Sequence, residues 1–296
     1  MKSMTKKFIK ITLIIILLFI IAIGLDIFAS YKLLSVTDYT IQSSKIKNKT
    51  KVVMIADLHD STFGSKNQRL VTKIKRQEPD IILMVGDMLN DTSKDSHVPV
   101  ELIQKLKKIA PIYYSWGNHE EDYRKKATSN LKKELEDAGA VVLERKYEDI
   151  KVNGNIIRVG GMYDYAFEAD GYGNMDKSAM KKQDLDFLES FQATSDFKIM
   201  MAHRPESFIY CQAADTWNVD IVAAGHLHGG QVIIPGKGGL YGAEQGWFPK
   251  YTEGNYHFKK VKNMIVTRGL GTSSQKLPRF NNIPEVVSIT LENTSK

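Results

Sequence analysis

Five short segments most constrain this chain, because each places possible metal ligands directly after an apolar run. The segments are Asp57-Leu58-His59, Gly86-Asp87, Gly117-Asn118-His119-Glu120, Ala202-His203-Arg204-Pro205 and Gly225-His226-Leu227-His228-Gly229. The runs before them are Val52–Ala56, Ile81–Val85, Ile112–Trp116, Ile199–Ala202 and Ile221–Ala224. Such runs are typical of buried parallel strands, and open α/β sheets bind ligands outside the carboxyl ends of their strands. The sequence therefore predicts an α/β fold whose strand ends deliver polar side chains to one rim.

The remaining patterns predict two sheets covered by helices. Helical spacing is found over Asn67–Gln77, Val100–Ile109, Ser129–Ala138 and Ser178–Phe191. Up to Ala138 these ranges alternate with the strand runs, which is typical of a parallel sheet. Two hairpins are then predicted, around Asn153-Gly154 and around Lys262-Asn263, before a final strand at Val286–Leu291. Two sheets packed face to face, with helices outside, accommodate all these elements.

Composition narrows the function only a little. The 296 residues are enough for one large core, and the formal charge is +7. Four of the positive charges lie close to the N-terminus, at Lys2, Lys6, Lys7 and Lys10. The remaining excess is typical of an ordinary lysine-rich surface, so we expect no nucleic-acid partner. The single cysteine, Cys211, excludes an intramolecular disulfide.

The N-terminal segment predicts a membrane helix. Phe8–Ala29 is almost wholly apolar, and as a helix it would be about 33 Å long, enough for a hydrocarbon core of about 30 Å. The lysines before it favour a cytoplasmic N-terminus and place the rest of the chain outside the cell membrane as a single-pass protein. A cleaved signal peptide is the alternative, with Ala29 an acceptable residue before the cut. Residues 31–50 are polar and irregular and are interpreted as a tether.

The donors of the five segments predict a metal site. They are Asp57, His59, Asp87, Asn118, His203, His226 and His228. Because alternate residues of an extended segment point to opposite sides, His226 and His228 either address two ions or wrap one ion from a turn. Two divalent ions suit displacement at phosphorus, because they polarise phosphoryl oxygens and generate hydroxide near neutral pH. Asp87 is the candidate bridge, and mixed oxygen and nitrogen ligation favours manganese, iron or zinc.

These segments resemble the pattern of the calcineurin-like metallophosphoesterases: Asp-x-His, Gly-Asp, Gly-Asn-His-Asp/Glu, His and Gly-His-x-His. The resemblance extends from Lys51 to Leu291 and implies a four-layer αββα sandwich, with a metallophosphoesterase domain at 51–296 after the anchor or signal peptide at 1–30. It also implies two ligand sets, Asp57, His59, Asp87 and His228 for one ion and Asp87, Asn118, His203 and His226 for the other.

His119 matches the residue that contacts the phosphate and protonates the leaving oxygen, a role that suits an imidazole. Many family members support this histidine with a carboxylate three residues after the bridging aspartate. Here that position is Asn90, followed by Asp91. Either Asp91 takes the place of the carboxylate, or the imidazolium form is stabilised less.

The late stretch Arg268-Gly269-Leu270-Gly271-Thr272-Ser273, with Pro284-Glu285, resembles one bacterial branch of this family. Its members often carry an N-terminal membrane segment and include pyrophosphohydrolases of acylated UDP-sugars. The resemblance implies hydrolysis of a phosphodiester or pyrophosphate bond, in a substrate such as a nucleotide sugar or a lipid-linked phosphoester. Arg204, Arg268 and Arg279 are candidate phosphate clamps, since guanidinium binds phosphate through two hydrogen bonds, and a structural role is the alternative for each.

Two other classes of function compete with a phosphoesterase. A non-catalytic binding module on the same scaffold would be expected to have lost ligands, whereas every matching position is filled here. A metal-dependent amidohydrolase would be expected to carry His-x-His on its first strand, whereas this chain begins with Asp57-Leu58-His59. We therefore expect a metal-dependent phosphoesterase.

Overall fold

Sixteen strands and eight α-helices form over the residues that the computed structural model describes, 2–126, 130–272 and 277–294. The strands are β1 (Ser35–Gln42), β2 (Thr50–Ile55), β3 (Ile81–Val85), β4 (Ile112–Ser115), β5 (Ala140–Val142), β6 (Lys146–Val152), β7 (Asn155–Gly161), β8 (Phe197–Met201), β9 (Val219–Ala224), β10 (Ile233–Ile234), β11 (Gly238–Gly239), β12 (Tyr241–Gly242), β13 (Gly246–Trp247), β14 (Gly254–Tyr256), β15 (Val261–Val266) and β16 (Glu285–Glu292). The helices are α1 (Lys2–Lys32), α2 (Gln68–Lys75), α3 (His97–Leu106), α4 (Asn118–Lys126), α5 (Leu131–Ala138), α6 (Lys182–Gln192), α7 (Glu206–Ile209) and α8 (Ala213–Thr216). Ser129 and Ser273, which the sequence interpretation included, lie outside the described residues.

Two six-stranded mixed sheets form the centre of the protein. The first has the order β1-β16-β2-β3-β4-β5 and the second the order β14-β15-β9-β8-β7-β6. Strands β2 to β5 are parallel, as are β7, β8, β9 and β15. The C-terminal ends of these parallel strands can therefore meet where the two sheets face each other.

Alternation along the strands divides the apolar residues into three layers of core. On β2, Val53 and Ile55 pack with α2, α3 and α5, whereas Val52 and Met54 face the second sheet. A third cluster packs α6, α7 and α8 against the outer face of the second sheet, through side chains such as Phe191. The observed order is helix, sheet, sheet, helix, which confirms the four-layer αββα fold.

The tether expected over residues 31–50 is a wrong interpretation. Within it, β1 pairs in parallel with β16 along its whole length, from Ser35 opposite Glu285 to Gln42 opposite Glu292. Only one face of this edge strand is apolar: Ile41 is buried, whereas Asp38 is exposed. Because half of its residues face water, the strand has the composition of a polar linker.

Of the two predicted hairpins, one is confirmed and one is misplaced. Asn153 and Gly154 have φ of 48° and 75° and join β6 to β7, as expected for a two-residue turn. Lys262 and Asn263, in contrast, lie inside β15, and the chain turns at 257–260 instead. Strand β15 pairs with both β14 and β9, and this pairing overrides the local turn preference of Lys262-Asn263.

The N-terminal helix is both exposed and attached. Thr5–Lys32 is long and apolar enough to cross a membrane, and none of its most apolar window is buried. Its last turns nevertheless contact the folded body: Ser30 is fully buried, and its hydroxyl accepts a hydrogen bond of 3.2 Å from the Asn282 N–H. The Tyr31 hydroxyl accepts another, also of 3.2 Å, from the Arg279 N–H. The end of helix α1 is therefore attached to the loop at 279–282.

Candidate metal centre

The loops after β2, β3, β4, β8 and β9 carry all seven predicted donors to one rim between the sheets. Backbone hydrogen bonds continue past the strand ends and hold these loops together. The N–H of Asp57 donates to the Gly86 carbonyl at 3.0 Å, and the N–H of His59 donates to the Asp87 carbonyl at 3.1 Å. In the second sheet, the Gly225 N–H donates to the His203 carbonyl at 2.8 Å. The strand ends thus position the donors as the sequence predicts.

Asp87 occupies the centre of the donor set. Its Oδ2 lies 3.1 Å from His203 Nε2 and 3.8 Å from His59 Nε2. Three groups of potential ligands lie close enough to hold an ion: Asp57, His59 and His228; His59, Asp87 and His119; and Asp87, His203 and His226. Two of these groups share Asp87, which is the position expected of a bridging carboxylate.

Unusual backbone conformations hold the donors in place. Five of the seven have positive φ: Asp57 (54°), His59 (48°), Asp87 (53°), His226 (72°) and His228 (48°). Non-glycine residues rarely adopt this region, and such strain concentrates at functional sites. Gly117 permits the closest approach, since a Cβ there would lie 2.1 Å from Asp87 Oδ1. The chain therefore accepts local strain in order to point these side chains at one another.

Several donor atoms are buried without a hydrogen-bond partner among the described residues. They include Nε2 of His59, His203 and His226 and Oδ1 of Asn118. Buried polar atoms normally have partners, so a group of unpaired acceptors at one point is typical of a cation site. In addition, His203 Nδ1 lies 2.7 Å from the Val85 carbonyl, which leaves its Nε2 lone pair directed at the centre. The residues fit divalent metal ions.

Burial and mutual charge shift the ionisation of this cluster. Burial raises the pKa of Asp57 to about 7 and lowers the pKa of His59 to about 4. Burial opposes ionisation of Asp87 too, but the charge of His203 holds the pKa of Asp87 below its usual range. Burial lowers the pKa of His203, but the charge of Asp87 outweighs this effect and raises the pKa to about 10. Because a histidine binds metal only as the neutral imidazole, the affinity of this cluster for metal would depend on pH.

Comparison with known proteins agrees with this geometry. A family model described as calcineurin-like phosphoesterase matches residues 50–230, which include all seven donors and His119. The chain belongs to the calcineurin-like phosphoesterase family. It is thus a metallophosphoesterase, a hydrolase of phosphoesters.

Relatives with this activity in their names match most of the chain. It is 26% identical over 271 residues to the uncharacterized metallophosphoesterase YkuE of Bacillus subtilis, which covers 89% of this chain and 87% of that protein. It is also 26% identical over 244 residues to the phosphodiesterase YaeI of Escherichia coli, covering 81% and 82% of the two chains. Among solved structures, TT1561 of Thermus thermophilus aligns with a TM-score of 0.45 and 12% identity over 75% of this chain and 91% of that chain.

The metallophosphoesterase supports its two neighbouring histidines with different residues. Asn90 Oδ1 lies 3.1 Å from His59 Nδ1, so the amide orients a predicted ligand and not His119. The N–H of Asp91 donates to His119 Nδ1 at 3.1 Å, and Asp91 Oδ1 lies 3.4 Å from the same nitrogen. A hydrogen bond from Lys126, together with the charges of Lys126 and His119, lowers the pKa of Asp91. Asp91 therefore supplies the carboxylate next to His119.

Glu120 has a structural role that sequence reasoning did not assign. Its fully buried carboxylate accepts hydrogen bonds from the N–H groups of Asp87 (2.7 Å), Met88 (2.7 Å) and Gly117 (2.9 Å) and from the Tyr114 hydroxyl (2.6 Å). It thereby joins the loop that carries Asp87 to the loop that carries Asn118. The acidic position that ends the Gly-Asn-His-Asp/Glu motif was the available signal.

Of the three predicted phosphate clamps, the structure leaves one, Arg204, as a candidate. Arg204 is half-buried at the rim, with Nε 3.5 Å from Glu244 and its guanidinium over the Tyr163 ring at 5.3 Å. Arg279 is fully buried, and its guanidinium donates to the carbonyls of Asn282, Gly271, Arg268 and Gly269 and to Asn282 Oδ1. The prediction for Arg279 is therefore wrong, because its donors already have partners.

Arg268 does not fit the predicted clamp role either. Its guanidinium lies 2.9 Å from Glu285 and 3.3 Å from Glu253, and it donates to the Ser35 hydroxyl at 3.2 Å. These contacts attach β16 and β1 to the loop after β15. Two neighbouring carboxylates neutralise the charge that a phosphate would need.

Glu244 borders the site and was missed by sequence reasoning. It lies in the loop between β12 and β13, where it accepts a hydrogen bond of 2.7 Å from the Tyr165 hydroxyl and lies 3.7 Å from His226 Nε2. The neighbouring imidazole of His226 lowers the pKa of Glu244 to about 2, against the effect of burial. No motif marks this residue, because only the path of the long loop after Gln231 brings it to the rim.

Proposed function

We propose that this metallophosphoesterase hydrolyses a phosphodiester or pyrophosphate bond with two divalent ions, of manganese, iron or zinc. The observation that carries the proposal is the set of buried, unpaired donor atoms around Asp87. When bound, such ions polarise phosphoryl oxygens and lower the pKa of water. Asp57, His59, Asp87 and His228 would hold one ion, and Asp87, Asn118, His203 and His226 would hold the other.

His119 is placed to give a proton to the leaving oxygen. Because the backbone N–H of Asp91 can only donate, His119 Nδ1 acts as an acceptor and Nε2 carries the proton. Nε2 lies 4.0 Å from Asp87 Oδ2, and 18% of the His119 side chain is exposed. The proton is therefore held next to the metal ligands and within reach of a bound substrate.

The preference for diesters or pyrophosphates over monoesters has two supports. One is the resemblance of the motifs to the bacterial branch that includes pyrophosphohydrolases of acylated UDP-sugars. The other is the similarity to a protein named phosphodiesterase. A nucleotide sugar or a lipid-linked phosphoester fits this preference, and Arg204 would contact its phosphate at the rim.

The test compares variants of the full chain on a chromogenic phosphodiester in buffer with manganese. Asp87→Asn and His226→Ala should each abolish hydrolysis, because each removes a donor from the centre. His97→Ala is the matched control and should retain full activity, since His97 is exposed and contacts only Asp95 among the described residues. Full activity in either centre variant would refute the proposal.

We also infer that α1 is an uncleaved, single-pass anchor with the catalytic domain outside the cytoplasm. Cleavage after Ala29 would make Ser30 a charged N-terminus at a fully buried position, which is unfavourable. It would also remove Asp26, whose carboxylate accepts a hydrogen bond from the Asn281 N–H. Intact mass of the native protein from washed membranes should match the full chain. A soluble form lacking about thirty residues would instead establish signal cleavage.

A further inference from the structure

A groove lies between the end of α1 and the face of α2. It has a volume of about 560 Å³ and is lined on one side by Leu33, Leu34 and Val36, which follow α1 directly. The other side is formed by one face of α2 and its end: Gln68, Arg69, Thr72, Lys73, Arg76 and Gln77. The groove is thus half apolar and half basic, and it begins one residue after the predicted membrane span.

The three cations of the groove are unneutralised. Arg69, Lys73 and Arg76 recur at helical spacing, so their side chains share one face of α2. Among the residues that the structure describes, none of the three forms an ion pair, and no carboxylate lines the groove. On the neighbouring helix, by contrast, Lys105 lies 3.4 Å from Glu101. An unpaired cluster of three positive charges attracts an anion.

We propose that this groove binds the headgroup phosphate of an anionic phospholipid, in the membrane that α1 enters. The guanidinium groups of Arg69 and Arg76 and the ammonium of Lys73 suit phosphate oxygens, and basic residues beside a membrane span favour anionic lipid. The inference rests on the anchor proposed above.

The position of the groove favours a lipid over a soluble phosphate compound. Leu33 is 45% exposed, and the side chains of α1 before it are apolar and exposed, as in Phe28 at 62%. Acyl chains of a lipid held by its phosphate would lie along these residues. The groove is formed by the outer helix layer, and its lining includes no residue of the metal centre.

The experiment measures which lipid stays with the full-length protein. The protein is reconstituted with equal amounts of phosphatidylcholine and phosphatidylglycerol, extracted in mild detergent and analysed for bound lipid by mass spectrometry. We expect phosphatidylglycerol to be enriched on the order of tenfold, given three basic residues near the headgroup. The variant Arg69→Gln/Lys73→Gln/Arg76→Gln should show no enrichment.

A second triple variant removes the same charge elsewhere. Lys75→Gln/Lys108→Gln/Lys260→Gln changes three exposed lysines that do not line the groove and should retain the enrichment. Both triple variants should hydrolyse the chromogenic diester at the rate of the unmodified protein, which shows that they fold. Equal loss of enrichment in both would replace the groove with a general surface-charge effect and overturn the proposal.

Two further outcomes distinguish a failure of the groove proposal from a failure of the anchor proposal. If the unmodified protein fails to float with vesicles, the anchor is wrong and the groove proposal falls with it. If the protein floats but shows no enrichment, the anchor stands and the groove is refuted. Displacement of phosphatidylglycerol by soluble glycerol phosphate would identify a site for soluble anions and overturn the lipid assignment.

Discussion

The two sides of the metal centre differ in how deeply they are buried. The buried side consists of Asp57, His59 and His228, with exposures of 0%, 4% and 3%. Asn282 braces it, donating from Nδ2 to the His228 carbonyl at 2.7 Å. The open side consists of Asn118, His119 and His226, all partly exposed. The difference shows that one side is built into the core of the protein, while the other is open to solvent, where we propose that substrate enters.

Removing ligands one at a time tests whether the two sides are separable. His228→Ala on the buried side and His226→Ala on the open side should each lose one of two ions, whereas Asp87→Ala should lose both. Each variant should lose activity at least about a hundredfold, since even residues that only support ligands affect metal sites tenfold to a hundredfold. Metal content and diester hydrolysis provide the measurements. Two ions retained in Asp87→Ala would contradict the bridging position.

Arg279, whose guanidinium donates hydrogen bonds to Asn282, should have a large effect on stability. Arg279→Met should lower the free energy of unfolding by about 3 kcal/mol or more, because each buried acceptor left unpaired costs about 1–3 kcal/mol. Arg124→Met is the control, since Arg124 forms partly exposed pairs with Glu121 and Glu144 and should change stability by about 1 kcal/mol or less. Urea unfolding measures both variants. Equal free energies of unfolding of the two variants would show that the hydrogen bonds of Arg279 do not stabilise the fold.

Substitution of the residues that support His59 and His119 should have smaller effects on metal binding and on activity. Asp91→Asn should lower kcat about tenfold to a hundredfold, because His119 loses the carboxylate that lies beside its ring. Asn90→Ala should instead weaken metal binding, because Asn90 orients His59. Measurements of kcat and titrations with metal distinguish the two variants. A lower kcat in Asn90→Ala and weaker metal binding in Asp91→Asn would instead show that Asn90 supports His119.

The smallest predicted effect concerns the rim of the open side. Arg204→Met should raise KM for the diester about tenfold and leave kcat and unfolding nearly unchanged, since the loss of a phosphate contact affects binding more than folding. Arg268→Met is the comparison, because its guanidinium is already held by Glu253 and Glu285, and it should leave KM unchanged. If KM rose in Arg268→Met but not in Arg204→Met, Arg268 would be the phosphate clamp and Arg204 would not.

Much of the centre could be predicted because the seven donors follow strands in five separate segments. The segments around Asp57, Asp87 and His203 carry a local pattern, apolar run then ligand, that predicts both the strand and the rim. Arginines carry no such pattern, so Arg279 and Arg204 look alike in the sequence. Their roles differ because one side chain is enclosed by backbone carbonyls and the other reaches the rim.

The sequence alone indicated the α/β class, two sheets with helices outside and the candidate donors, because strand periodicity and ligand spacing are local properties of the chain. The family and the four-layer order followed from the resemblance of the motifs. Tertiary structure alone decided that β1 joins the first sheet, that Asp91 and not Asn90 faces His119, and that Glu120 and Glu244 reach the centre. It also decided the contact between α1 and the loop at 279–282. These features depend on residues far apart in the chain, and the distance between them is set by packing, which no local pattern records.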